Sequence, residues 1–128
     1  PVGAHLANGI RLEALGSPID DPVRLEIPRP HQSSNSVRGE VITIDNFGNL
    51  ASNIMRSNLE GFGAVTVHIA GEEIDGLVTT FGERPPGELI ALYGTRSDLL
   101  ISVVNGNAAQ HLNAKVGNII EVFPRDRV

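Results

Sequence analysis

Neither cysteine nor tryptophan occurs anywhere in the 128 residues. Without thiols there is no disulfide and no thiolate metal site, so a reducing compartment is allowed and the cytoplasm is the expected one. No apolar run approaches the ~18 residues that a membrane-spanning helix needs. Ten Lys and Arg face fifteen Asp and Glu, for a net charge of −5. No basic cluster stands out from that acidic background, which argues against nucleic acid or an anionic membrane as partner. The four histidines, His5, His31, His68 and His111, are scattered without metal-ligand spacing, so no metal is expected. A nucleophile elbow, a phosphate loop and a dinucleotide fingerprint are all missing as well.

What is present reads as one globular domain. Apolar residues make up 41% and charged residues 20%, enough for a single modest core. The chain opens at Pro1 with neither an initiator Met nor a leader pattern. In AHLANGIRLEALG (4–16), Leu6, Ile10 and Leu15 share one face of a helix, with Gly16 as its stop. A helix starting this abruptly is expected to belong to a chain cut from something longer. Residues 17–38 hold four of the eight prolines and read as an extended linker, with VRLEI (23–27) a candidate short strand. From Gly39 onward the pattern is short strands separated by glycine-rich turns: 40–45, 49–53, 64–70, 72–74, 76–80, 88–94, 99–104 and 118–123. AAQHLN (108–113) supplies one short helix or turn. Strands at this spacing favour a closed or nearly closed antiparallel barrel, or a sandwich.

Four stretches carry candidate chemistry, and each has a plain structural reading beside it. In DNFGN (45–49), Asp and Asn cap their own turn and Gly48 permits a positive φ, which suffices for a hairpin. The same residues also supply an anion for an ammonium group (Asp45), a ring face (Phe47) and a paired donor and acceptor (Asn49). Phe81 ends a strand before a Pro-Pro loop; it is either a core plug or, with Phe47, one side of a slot for a flat ligand. Thr95 and Arg96 after Gly94 are either a polar turn or a carboxylate site, with Asp98 close enough to neutralise the arginine. Asn105 in NGN (105–107) is a turn signal whose backbone could also meet an adenine edge.

Taken together and in this order, IDNFGNLASNI (44–54), TTFGERPPGELIALYGTRSDLLISVVNGNAA (79–109) and GNIIEVF (117–123) resemble the C-terminal domain of the S-adenosyl-L-methionine (SAM) hydroxide adenosyltransferases. These are the adenosine-forming SAM hydrolases, relatives of the fluorinase and chlorinase. PVGAHLANGIRLEALGSPID (1–20) resembles the helix and linker that join the two domains of that family. The resemblance implies a mainly β fold: a small seven-stranded antiparallel barrel over 39–128, with helix and linker over 1–38. It also implies a larger N-terminal domain outside this chain and a homotrimer with active sites between subunits. By the same likeness, Asp45 falls on the carboxylate that holds the methionine amino group, and Phe47 and Phe81 on the aromatics beside adenine. Asn49 falls on the residue that hydrogen-bonds adenine, and the backbone at Asn105 where adenine is read. Thr95 and Arg96 fall near the methionine carboxylate. Three positions depart from the family pattern: Thr95 replaces Ser, Ser97 stands where Gly is preferred, and Ala51 stands where Thr or Trp is common.

No catalytic residue is expected within the chain, because the family's Asp-Arg-His group lies in the N-terminal domain. The expectation is therefore half of a SAM hydrolase, inactive alone, with SAM as substrate and no cofactor. The alternatives are halide as the nucleophile and a non-catalytic nucleoside-binding or trimerisation module. Phe47 and Phe81 buried on opposite sides of a core would exclude the ligand readings.

Overall fold

A computed structural model describes residues 1–125, so the last three residues of the expected barrel segment lie outside the described residues. The order is α1 (Val2–Ala7), a 3-10 turn (Leu12–Ala14), β1 (His31–Gln32), β2 (Val37–Ile44), β3 (Leu50–Met55) and a 3-10 turn (Arg56–Leu59). It continues with β4 (Val65–Ile69), β5 (Glu72–Asp75), a 3-10 turn (Phe81–Glu83), β6 (Leu89–Tyr93), β7 (Asp98–Val103), α2 (Ala108–His111) and β8 (Ile119–Pro124). Seven strands form one path, β5-β4-β8-β2-β3-β7-β6, and β1 pairs with β2 off that path. Every pairing is antiparallel. The two ends of the path approach each other after β5, where the N–H of Val78 donates to the carbonyl of Ala91 on β6 (2.9 Å). The result is a nearly closed antiparallel barrel, as the resemblance implies.

Period-two alternation builds the interior. Val65, Val67 and Ile69 of β4 are buried while Thr66 and His68 face outward. Leu50, Ile101 and Ala91 lie side by side in register on β3, β7 and β6, and all three are fully buried. Three local expectations fail. Residues 76–80 form no strand; Val78 is buried and makes its single bond to β6, but Gly76 (φ +76°) turns the chain out of the ladder. The helix expected over 4–16 is shorter, because Gly9 (φ +80°) ends α1 before Ile10 and only a 3-10 turn follows. VRLEI forms no strand and is exposed, without a strand partner among the described residues.

The segment before β2 is nonetheless attached to the barrel. Asn53, 7% exposed on β3, donates from Nδ2 to the carbonyl of Pro28 (2.7 Å) and accepts at Oδ1 from the N–H of Glu40 (2.8 Å). One amide thus satisfies a strand donor and ties the linker to the sheet, as a buried polar side chain requires.

Candidate functional site

The β2–β3 hairpin closes through Asp45–Asn49. The N–H of Asp45 bonds to the carbonyl of Asn49 (3.1 Å), and the N–H of Gly48 to the carbonyl of Asp45 (3.0 Å). Oδ1 of Asp45 accepts from the N–H groups of Phe47 and Asn49 (2.9 Å each), while Oδ2 accepts from Nδ2 of Asn49 (2.7 Å). Partial burial pushes the Asp45 carboxyl up. The bonds from the Asn49 side chain and from the backbone of Asn49, Phe47 and Gly48 outweigh that and hold it below its ordinary value. Asp45 is therefore a fixed, exposed anion, and its partner Asn49 is oriented by it.

The opposite rim is the β6–β7 turn. The N–H of Gly94 bonds to the carbonyl of Asp98 (2.8 Å) and that of Ser97 to the carbonyl of Gly94 (3.0 Å). Ser97 takes φ +64°, the left-handed region that favours glycine, which accounts physically for the glycine preferred there in the resembling family. Ser97→Gly is expected to raise unfolding stability by about 0.5–1 kcal/mol, because relief of the strained φ exceeds the added chain entropy. Chemical denaturation checks this, and an unchanged or lower midpoint would contradict it.

Between these two turns runs a cleft of about 430 Å³ lined by Asp45, Asn49, Phe81, Thr95, Arg96 and Asp98, among others. Its floor is a single cross-strand row. Thr43 pairs with Ala51, Ala51 with Leu100, and Leu100 with Leu92, so four strands each contribute one outward-facing side chain. Ala51 is thus a floor residue whose small size deepens the cleft. Asn49 and Phe81 also line a second, wider depression with Phe47, Asn105, Gly106, Asn107 and Gln110. All seven residues singled out by sequence therefore line two adjoining depressions, a trough in two parts, that share Asn49 and Phe81. Asp45, Thr95 and Arg96 lie at its charged end, Phe47 and Asn105 at the other, and Asn49 and Phe81 are shared. Phe47 is 77% and Phe81 40% exposed, so neither plugs the core. Phe81 opens a 3-10 turn fixed by Glu83, whose Oε1 accepts from the N–H groups of Thr79 (2.8 Å) and Thr80 (2.9 Å).

Sequence reasoning missed several lining residues: Thr43, Tyr93, Leu92 and Leu100 on the strands, and Asn107. The first had a usable signal, since Thr43 lies two residues before Asp45 on the same strand face. Tyr93 had none. Its ring lies under the Arg56 guanidinium, 4.4 Å from the ring centroid; burial pushes its phenol up, and the Arg56 charge offsets part of that. Asn107 caps α2, its Oδ1 accepting from the N–H of Gln110 (2.8 Å), and its side chain packs against Gly48. The DNFGN and NGN turns are therefore one contact, joined also by the N–H of Ala109 donating to the carbonyl of Gly48 (2.9 Å).

The trough presents an anion, a hydroxyl and a guanidinium at one end, and aromatic faces with amide groups at the other. Among the described residues no group of three or more His, Asp or Glu side chains is placed to hold a metal ion.

Comparison with known proteins gives a consistent picture. Residues 39–121 match the profile of the SAM hydroxide adenosyltransferase C-terminal domain. An (R)-S-adenosyl-L-methionine hydrolase of Thermus thermophilus is 34% identical, over 91% of this chain and 43% of that protein. A hydrolase of the same name from Salinispora tropica is 30% identical, over 95% of this chain and 47% of its own length. The crystal structure of an uncharacterized conserved protein from Thermotoga maritima superposes with a TM-score of 0.73 at 32% identity, covering 96% of this chain and 49% of that one. The chain spans about half the length of the curated relatives it matches.

Proposed function

We propose that this chain, which belongs to the SAM hydroxide adenosyltransferase family and supplies its C-terminal domain, clamps SAM in an enzyme that hydrolyses it to adenosine and L-methionine. The observation that supports the reading is that a charged cleft and an aromatic depression adjoin, with Asn49 and Phe81 lining both. Asp45 takes the methionine ammonium, and Thr95 with Arg96 takes the carboxylate. Phe47 and Phe81 flank the adenine, with Asn49 and the backbone at Asn105 on its edge. SAM is the substrate here, and the reading needs no cofactor.

Displacement at the ribose 5′ carbon requires the nucleophile in line with the departing sulfonium and stripped of its water shell. This domain holds both ends of the substrate so that the 5′ carbon has one position. A preceding N-terminal domain, outside this chain, supplies the activated hydroxide, and a homotrimer places it against the trough of a neighbouring subunit. On this reading the 128-residue chain binds and orients but does not turn over.

The complete reading frame carrying this chain, incubated with SAM with and without chloride, is expected to give adenosine and methionine by liquid chromatography and mass spectrometry. Residues 1–128 alone are expected to give neither. A chlorinated nucleoside would reassign the nucleophile to halide. No turnover together with no nucleoside binding would reduce the domain to a structural module.

A further inference from the structure

We infer that Asp98 is a positioning residue for the carboxylate end of the trough, holding the Arg96 guanidinium in the orientation that receives the ligand. The inference rests on the function proposed above but concerns a residue which that reading does not use. Asp98 is the first residue of β7, followed by the apolar run Leu99–Leu100–Ile101, and its side chain is only 8% exposed. A carboxylate so placed is normally neutralised by a partner. The partner here is Arg96, with Nη2 3.3 Å from Oδ2, although the Arg96 side chain itself is 69% exposed. The buried member of the pair is held by the barrel around it and the exposed member is restrained mainly by this contact, so the orienting runs from Asp98 to Arg96.

The turn around them is shaped to keep this arrangement. A Cβ at Gly94 would lie 2.8 Å from Oδ1 of Asp98, so a larger residue there would displace the carboxylate. Ser97, between the two charged residues, accepts the left-handed φ that brings Arg96 back over Asp98, and its carbonyl is held by the N–H of Arg56 (2.8 Å). Arg96 and Asp98 both line the cleft beside Thr95. A single contact at Nη2 leaves most of the guanidinium donors for an incoming carboxylate. An arginine already restrained loses less rotamer freedom when the ligand binds, which is how preorganisation raises affinity.

The near-isosteric Asp98→Asn change keeps the volume and removes the charge. In the complete enzyme, KM for SAM is expected to rise about tenfold with kcat within about threefold, because ligand capture rather than chemistry is weakened. Decarboxylated SAM, which has nothing for Arg96 to hold, is expected to show the same KM with wild type and variant. An equal loss on both substrates would make Asp98 merely structural, and a lower KM for SAM would make it a competitor of the ligand; either overturns the inference. A second measurement stands whether or not the enzyme hydrolyses SAM. In ¹⁵N relaxation of the 128-residue chain, the Arg96 side-chain Nε is expected to be restrained in the wild type and mobile in Asp98→Asn. Equal mobility in both would overturn the positioning role independently of the proposed reaction.

Discussion

Asp45→Ala in the complete protein is expected to lower kcat/KM for SAM by roughly 30- to 1000-fold. An ammonium left without its counter-ion in a closed site costs about 2–4 kcal/mol, and each 1.4 kcal/mol is a factor of ten. The anion is well prepared for the task, since three hydrogen bonds fix both carboxylate oxygens before any ligand arrives. Those bonds hold its acidity below the ordinary carboxylate value against the upward push of burial. The sign of the pH effect follows from that. A carboxyl with a lowered folded-state value contributes stability above its unfolded-state value and loses it as pH falls through the lowered one. Ligand grip by the ionised form is therefore fully present at neutral pH and fades only in strong acid. Asp45→Asn separates the two roles. It retains one acceptor for the backbone N–H groups of the turn but loses the charge and the acceptor for Nδ2 of Asn49, so it is expected to lose a modest part of the stability and most of the activity. Steady-state kinetics with thermal unfolding of both variants checks this; wild-type kinetics in either one would remove Asp45 from the site.

Gly48→Ala is the second large effect, and it acts on the fold and the site together. Gly48 takes φ +85°, and a Cβ there would overlap the Cγ, Oδ1 and Nδ2 atoms of Asn107. The backbone cost and the clash together are expected to remove about 2–4 kcal/mol of stability, a large share of what a domain of this size holds. Asn107 would be pushed off the N–H of Gln110, and the N–H of Ala109 would lose its alignment with the Gly48 carbonyl. Both walls of the aromatic end move, so nucleoside binding should weaken beyond what the lost stability explains. Combining Gly48→Ala with Asn107→Gly removes the overlap but not the φ strain, so part of the stability should return. Urea titration of the single and double variants reads this directly. No recovery in the double variant would show that the backbone strain alone governs the position.

How legible the molecule is from its sequence differs between the fold and the site. Alternating β-branched residues in VTVHI and a self-capping turn between GEVITI and LASNI are local signals, and they yield strands and a hairpin where the structure has them. Local signals also misled. The run 76–80 has strand composition, yet a positive φ at Gly76 takes it off the ladder, and the apolar spacing of 4–16 does not survive Gly9. At the site, the residue types were readable because Asp45, Asn49, Thr95 and Arg96 each sit in a turn whose chemistry can be named from its own neighbours. The floor was not readable, since Thr43, Ala51, Leu100 and Leu92 belong to four strands and meet only through register.

The sequence by itself determined an antiparallel β class, barrel or sandwich, the turn chemistry and the charged and aromatic character of the candidate ligand grip. These depend on periodicity and on groups a few residues apart, where covalent geometry limits the outcomes. The tertiary structure alone decided that the turns border two adjoining depressions. It also decided that Gly48 and Asn107 touch across 59 positions, and that Asp98 is buried beneath an exposed Arg96. Those relations are set by strand order and register in a nearly closed sheet, where long-range pairing places distant residues in contact and no local pattern records it.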